Sequence, residues 1–332
     1  MKKTALITGI TGQDGSYLAH LLLHNNYNVI GLYRRSSTDN FHRINDINSP
    51  NFVLEEFDLT DSSGCYRIIE KYRPDELYNL AAQSHVGTSF SQPITTFQID
   101  TMGLLHLLEA VRSCSNHTKV YQASTSEMFG SNYDQNEALG KYQNENTVFL
   151  PQSPYAVAKL ASHRLIQIYR EAYGLFACSG ILFNHESPKR GSNFVTRKIT
   201  SYIGQLVNNK ISSENKLHLG NIEAHRDWGH AKDYVKAMHL MMLQEQPDDF
   251  VISTGSTHSV KEFLEIAFNL VGLNWQDYVV IDPQFYRPCE VEFLKGDSSK
   301  ARRVLSWEPN ISFQHLVIEM VNSDIEYYKN VS

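Results

Sequence analysis

The chain has 332 residues, of which 42% are hydrophobic and 20% charged, with a formal net charge of −6 at pH 7. These are the proportions of an ordinary globular protein, long enough for one large domain or for a domain with a smaller companion. Mild acidity without a long basic run argues against nucleic acid as the main partner, while local cations remain available for a phosphorylated small molecule. The four cysteines, Cys65, Cys114, Cys178 and Cys289, form no CxxC pair. They read as reduced thiols, and no zinc or other metal site is expected. The N-terminus turns strand-like within three residues, and no apolar stretch is long enough to span a bilayer. The expectation is a soluble cytoplasmic protein with no membrane partner.

In chain order, TALITG (4–9) is a short buried-strand pattern, and GSYLAHLLLHNN then has helical spacing through Leu18, Leu21 and Leu22. NVIGLYR (28–34), NFVLEEFD (51–58), ELYNLAA (76–82) and KVYQAST (119–125) read as further strands separated by helix-like segments. This alternation predicts an α/β fold, a Rossmann-type doubly wound parallel sheet covered on both faces. Right-handed crossovers bring the strand C-termini to one edge, where ligands bind. The polar segment from Ser131 to Thr147 reads as a mobile loop or lid. After FACSGILF (176–183) the alternation loosens, with short strands at LHLG (217–220) and FVIST (250–254). The expected division is a dinucleotide-binding domain over 1–183 and a smaller, discontinuous mixed α/β substrate lobe over 184–332. Segments around 221–260 are expected to return to the first domain.

GITGQDG places Gly9, Gly12 and Gly15 between the first strand and the first helix, in GxxGxxG spacing. Gly9 allows the tight turn, Gly12 lets backbone approach a pyrophosphate, and Gly15 lets helix pack on strand. Thr11, Gln13 and Asp14 belong to the same loop, and the helix N-terminus offers unpaired N–H groups to an anion. The second strand ends YRRSS, with no acid before Asp39. Arg34 and Arg35 with Ser36 suit a ribose 2′-phosphate, because guanidinium forks match phosphate oxygens, so NADP is favoured over NAD. Asp58 sits where a carboxylate can accept from the adenine amino group, though an aspartate there is also a common helix cap.

SPYAVAKLASHRLIQIYREAYG begins with a proline and continues as a helix, with Tyr155 and Lys159 on one face at i, i+4. A lysine ammonium near a phenol is expected to lower the phenol's pKa, and a tyrosine so tuned can take a proton from a sugar hydroxyl. In STSEMFG (124–130), Thr125 suits a substrate contact at a strand end. By itself Glu127 reads either as a base or as a cap or ion-pair partner.

The stretches ALITGITGQDGSYLA, YNLAAQSHV, QASTSEMFG, SPYAVAKL, GILFNHESPKRG, FVTRKIT, RDWGHAKDYV and YRPCEVE together resemble the GDP-mannose 4,6-dehydratases, a group of extended short-chain dehydrogenase/reductases. The resemblance runs from residue 4 to about 310, and NHESP and RDWG are more specific to the group than the glycine motif. It implies a three-stage reaction on a GDP-sugar. Tyr155 deprotonates the 4-hydroxyl as hydride passes from C4 to NADP; Glu127 removes the C5 proton as the 6-hydroxyl leaves as water; the hydride returns to C6. It also implies that Thr125 holds O4 and that Lys159 contacts the nicotinamide ribose. Leu59, Leu80, Ala81, His185 and Arg190 join the cofactor set. Ser84, Ser126, Asn184, Val195, Lys198, Leu219, Gly220, Arg226, Arg287 and Glu290 are implied at the substrate. Ser126 replaces the aspartate usual in dehydratases of other nucleotide glucoses. VGTSF and FNLVGLNWQDY resemble a shorter bacterial branch that includes enzymes acting on GDP-manno-heptose, so that sugar is an alternative to GDP-mannose. An epimerase or net dehydrogenase on the same scaffold would need the tyrosine and lysine but not the glutamate. Members of the group form homodimers and often homotetramers, in which the loop after the second strand, here Arg34 to Arg43, meets a neighbour's cofactor.

Overall fold

The computed structural model describes residues 2–37, 40–286 and 288–331. Seven strands form its central sheet: β1 (Thr4–Thr8), β2 (Asn28–Tyr33), β3 (Phe52–Glu56), β4 (Glu76–Asn79), β5 (Lys119–Thr125), β6 (Ala177–Leu182) and β7 (Phe250–Ile252). Their order is β7-β6-β5-β4-β1-β2-β3, and every pairing is parallel. The order reverses between β1 and β4, which opens a crevice at the C-terminal edge there. The main helices are α1 (Gln13–His24), α2 (Ser62–Tyr72), α3 (Gly103–Cys114), α4 (Pro154–Tyr173), α5 (Val195–Val207), α6 (Ala231–Met242), α7 (Val260–Asn269) and α8 (Phe313–Asn330).

Strand alternation explains how the sheet is covered on both sides. Ala5, Ile7, Tyr78 and Tyr121 face a core shared with Leu18 and Leu22 of α1 and Val235 and Met238 of α6. Leu6, Leu77 and Val120 face the opposite core, with Ile69 of α2, Leu107 of α3 and Ile166 of α4. A third core joins Ile199 and Ile203 of α5, Phe263 of α7 and Met320 of α8 around Trp228. Among the described residues, no helix is long and apolar enough to cross a membrane.

FVIST meets the expectation of a strand and pairs with β6 as the last strand of the sheet. The 131–147 segment departs from the expected loop. Asp134–Asn136 and Gly140–Tyr142 form an antiparallel hairpin. Beyond it, Gln143 is fully buried, accepting from the Lys295 N–H at 2.9 Å and donating to the Asn132 carbonyl at 3.1 Å. A polar stretch thus becomes ordered because its amide groups are satisfied by a segment 150 residues away, which local composition does not reveal.

Candidate active site

A cleft of about 1220 Å³ opens at the C-terminal edge of the sheet. At one end lies the glycine loop. Gly9 has φ +68°, and a Cβ there would stand 2.9 Å from the Ala81 nitrogen. A Cβ on Gly15 would stand 2.4 Å from the Gly9 carbonyl oxygen, so the turn, the sheet and the helix meet at backbone contact. The Gly12 N–H donates to the Gly9 carbonyl at 2.9 Å, and α1 starts at the next residue with no side-chain cap. Its first N–H groups are therefore available to an anion. Gly9, Thr11, Gly12, Gln13, Asp14, Gly15, Arg34, Ser36, Asp58, Leu59, Leu80 and Ala81 all line this end. Arg34, Arg35 and Ser36 are all exposed after β2, and of the three Arg34 and Ser36 line the cleft. Asp58 lines the cleft while its Oδ1 accepts from the Thr60 N–H and hydroxyl at 2.9 and 2.7 Å, a local turn that fixes the carboxylate.

His185 lines the cleft against the same loop. Its Nδ1 donates to the Phe183 carbonyl at 2.8 Å and its Nε2 reaches the Asp14 carboxylate at 2.7 Å. Acceptors at both ring nitrogens favour the protonated ring. Burial works against that charge, but Asp14 outweighs it and the histidine's pKa lies above its ordinary value. Gln13 extends the tie, donating to the His185 carbonyl at 3.1 Å and accepting from Ser187 at 2.7 Å. Arg190 pairs with Glu186 at 3.1 Å and lies over the Phe194 ring at 3.6 Å. No group of three or more His, Cys, Asp or Glu side chains suited to a metal occurs among the described residues.

The chemical end is built by β5 and α4. Thr125 ends β5, and its hydroxyl accepts from the Glu127 N–H at 3.2 Å, shaping the one-turn helix Ser126–Phe129. Ser153 caps α4 by accepting from the Ala156 N–H at 3.1 Å, with Pro154 in the first turn, so Tyr155 and Lys159 project from its start. Thr125, Ser126, Glu127, Tyr155 and Lys159 all line the cleft, each no more than 8% exposed. The Lys159 ammonium donates to the Ala123 carbonyl at 3.1 Å and lies 5.9 Å from the Tyr155 ring centroid. The expected lowering of the tyrosine is not met in this structure. Burial pushes the phenol upward and the charges of Asp100 and Glu127 add to the rise, against the pull of the Thr125 hydroxyl and Arg190. Burial likewise lowers Lys159, with Asp100 pushing back.

Ser84, Asn184, Val195, Lys198, Leu219, Gly220, Arg226 and Glu290 line the remaining wall. Short strand pairs position several of them: Asn184–Glu186 with Trp228–His230, His225–Arg226 with His258–Ser259, and Leu217–Leu219 with Val279–Ile281. Arg226 pairs with Glu290 at 3.1 Å rather than with its neighbour Asp227. Asp227 instead accepts from Thr254, Gly255 and Gly296 backbone N–H groups and from the Thr254 hydroxyl. Arg287 lies outside the described residues. Sequence reading passed over Phe194, His218, Phe285 and Tyr286, which also line the cleft. It also passed over Asp100, buried behind the wall. Phe194 and Tyr286 open the stretches FVTRKIT and YRPCEVE and could have been found there, whereas His218, Phe285 and Asp100 stand in none of the quoted motifs and only the fold brings them to the site. No residue of 131–147 lines the cleft.

A parallel sheet with a glycine turn at its reversal point and a Tyr-Lys helix beside the same crevice defines an extended short-chain dehydrogenase/reductase. The solved structures agree on the fold. UDP-glucose 4-epimerase from Thermotoga maritima with UDP-glucose superposes with a TM-score of 0.82 at 24% identity, covering 98% of each chain. dTDP-glucose 4,6-dehydratase from Bacillus anthracis in complex with NAD gives 0.82 at 22%, covering 99% of this chain and 97% of the other. The chain belongs to the GDP-mannose 4,6 dehydratase family, whose profile matches residues 6–320. GDP-mannose 4,6 dehydratase 2 of Arabidopsis thaliana is 52% identical, over 99% of this chain and 88% of the relative. The GDP-mannose 4,6-dehydratase of Vibrio cholerae is 46% identical, over 98% and 95%. The human GDP-mannose 4,6 dehydratase is 46% identical, over 98% and 92%.

Proposed function

We propose that this protein is an NADP-dependent hydro-lyase that converts GDP-mannose to GDP-4-keto-6-deoxymannose and water. The observation that carries the reading is the convergence of Thr125, Glu127, Tyr155 and Lys159 on one cleft with the glycine loop, in a chain of this family. Glu127 is the discriminating group, because an epimerase or simple dehydrogenase has no C5 proton to remove.

The glycine cradle fits a dinucleotide pyrophosphate, since any side chain at Gly9 or Gly15 would strike backbone. Arg34 and Ser36 supply a guanidinium and a hydroxyl suited to a 2′-phosphate, which favours NADP. A nicotinamide bound there would supply a hydride acceptor for C4 of the sugar and a hydride donor for C6, with no net redox. This chain's residues handle the protons. Tyr155 takes the 4-hydroxyl proton once it is a phenolate, a state that its burial opposes and the Lys159 ammonium favours, with Thr125 holding O4. The resulting 4-ketone acidifies the C5 proton, Glu127 removes it, and the 6-hydroxyl departs as water. Lys198 and Arg226 serve the diphosphate electrostatically, with Arg287 assigned beside them from sequence alone. In this reading residues 1–183, with segments near 221–260, carry the cofactor, and 184–332 mainly carry the nucleotide sugar. A cytoplasmic homodimer or homotetramer accompanies it, and light scattering tests the assembly.

Incubation with GDP-mannose labelled with deuterium at C4, without added NADP, is the test. Product lighter by one water with deuterium on C6 supports the reading. Unchanged sugar, or water loss without transfer of the label, defeats it. GDP-manno-heptose in a parallel reaction decides the sugar by relative kcat/KM.

A further inference from the structure

Gln143 is fully buried at the end of a hairpin in which every residue from 133 to 141 is exposed. Burying an amide is costly unless both of its ends are bonded, and here both are. Oε1 accepts from the Lys295 N–H at 2.9 Å, and Nε2 donates to the Asn132 carbonyl at 3.1 Å. The backbone adds to the tie: the Gln143 N–H donates to the Lys295 carbonyl at 2.8 Å, and the Asp297 N–H donates to the Gln143 carbonyl at 2.8 Å. One residue therefore clamps together two segments that lie far apart in sequence.

Both segments lead to the site. The first leaves the turn that holds Glu127: the Gly130 N–H donates to the Glu127 carbonyl at 3.1 Å, and the Asn132 N–H donates to the Phe129 carbonyl at 3.1 Å. The second, 290–297, is a strap that begins in the cleft at Glu290, the partner of Arg226. It then runs beside the strand that carries Arg226. The His225 N–H donates to the Glu292 carbonyl at 2.8 Å, the Leu294 N–H to the His225 carbonyl at 3.2 Å, and the Gly296 N–H to the Asp227 carboxylate at 3.2 Å. Val291 and Leu294 of the strap are buried in one apolar cluster with Met128 and Phe129, the two residues that follow Glu127. The strap is thus bonded to the nucleotide end of the cleft and shares a core with the turn of the base.

Resting on the dehydratase reading, we propose that Gln143 is a positioning residue for removal of the C5 proton. By clamping the strap to the chain that leaves the Glu127 turn, it holds the carboxylate in register with the wall formed by Arg226 and Glu290, and so with C5 of a sugar whose diphosphate is bound there. Gln143 does not line the cleft and acts only through Glu127. The base stands on a one-turn helix, Ser126–Phe129, which is too short to fix its own direction. A displacement of about 1 Å is enough to slow a proton transfer roughly 10²-fold. Tyr155 and Lys159, which serve the earlier step at C4, are set by α4 and its Ser153 cap. The two stages of the reaction rest on different supports, and the clamp belongs to the second. A buried amide with every bond made specifies one arrangement of the segments it joins, which is what a base of this kind requires.

The test is Gln143→Met in the NADP holoenzyme. Methionine keeps the length of the side chain and removes both of its hydrogen bonds. Single turnovers of GDP-mannose are followed by NADPH fluorescence, which rises with oxidation at C4 and decays as hydride returns to C6, and by product mass. The rise should keep its wild-type rate, while the decay and the loss of water slow by about ten- to a hundredfold. Steady-state kcat should fall by the same factor, with KM for GDP-mannose within about threefold of wild type, because strand 225–226 keeps its own bonds to the strap. A merely structural role would lower the fraction of active protein and shrink both phases at wild-type rates. That result, a common slowing of both phases, or wild-type kinetics overturns the proposal. Should Gln143→Met not fold, Val291→Ala probes the same link from the apolar face of the strap. A slower decay after an unchanged rise supports the proposal there, and any other pattern defeats it. Wild type that loses no water from GDP-mannose defeats the dehydratase reading itself; wild-type turnover beside an unaffected Gln143→Met defeats the positioning role alone.

Discussion

Glu127 and Arg34 are single side chains on which chemistry and cofactor choice turn. Replacing Glu127 by Gln keeps the size of the side chain and removes the base. Turnover of GDP-mannose should fall by about 10²–10⁴-fold. Binding of GDP-mannose, followed by calorimetric titration, should stay within a few-fold. Residual activity close to wild type would return the site to the epimerase or dehydrogenase class. Arg34→Ala removes the guanidinium that faces the cleft, while Arg35→Ala removes one that does not. Titration of cofactor-free protein should show Arg34→Ala losing at least tenfold in NADP affinity with little change for NAD. Arg35→Ala should change neither within one protomer. This split is invisible in YRRSS as written, because adjacent residues leave the chain in different directions and only the backbone path decides which one meets the ligand.

The one-turn helix after β5 depends on how its end is made. Gly130 closes it at φ +59° and ψ −130°, a region that residues with a side chain avoid. A Cβ at this position would come within 1.8 Å of the Leu150 carbonyl oxygen, which is backbone and cannot swing aside. Gly130→Ala should therefore destabilise the protein by roughly 2 kcal/mol or more, read from denaturant midpoints, and should displace Glu127. At Gly140, where φ is +65° and nothing lies within 4 Å, only the backbone strain applies and the loss should be smaller. Strands and helices of the sheet were legible because burial on both faces demands apolar runs, and helix α4 because its proline, cap and periodicity agree. The 131–147 hairpin was not, since its short polar strands carry no pattern and are held by Gln143 and the distant Lys295.

Across the whole molecule, β5, α4 and the approach to β7 are bound together by one buried polar cluster. His163 meets the Ser124 hydroxyl at 3.1 Å. Asp249 accepts from Arg170 at 2.8 Å, from Gln167 at 3.0 Å and from the Ser179 N–H at 2.9 Å. Burial is the main cause that lowers His163 from 6.5 to about 4, and the charge of Asp249 offsets only part of it. The folded protein therefore refuses a proton that the unfolded chain accepts. The stability that His163 contributes is complete above pH 6.5 and is lost as pH falls from 6.5 toward 4. Thermal unfolding between pH 7.5 and 5 should show a steeper decline for wild type than for His163→Gln, and parallel curves would refute the assignment.

Length, apolar periodicity and the glycine turn were enough, without coordinates, to specify a doubly wound parallel sheet with a dinucleotide cleft at its reversal point. The Tyr155–Lys159 spacing and the quoted motifs further pointed to the family that the relatives bear out. These properties are local: each is set by residues within one strand, turn or helix. Tertiary structure alone decided that Arg226 pairs with Glu290, that Asp227 anchors Thr254 and Gly296, and that His185 meets Asp14. It also buried Asp100 next to Ile99, which lines the cleft. Charge state and hydrogen-bond partner depend on what burial removes and on what distant segments bring, and those are properties of the packed chain rather than of any stretch of it.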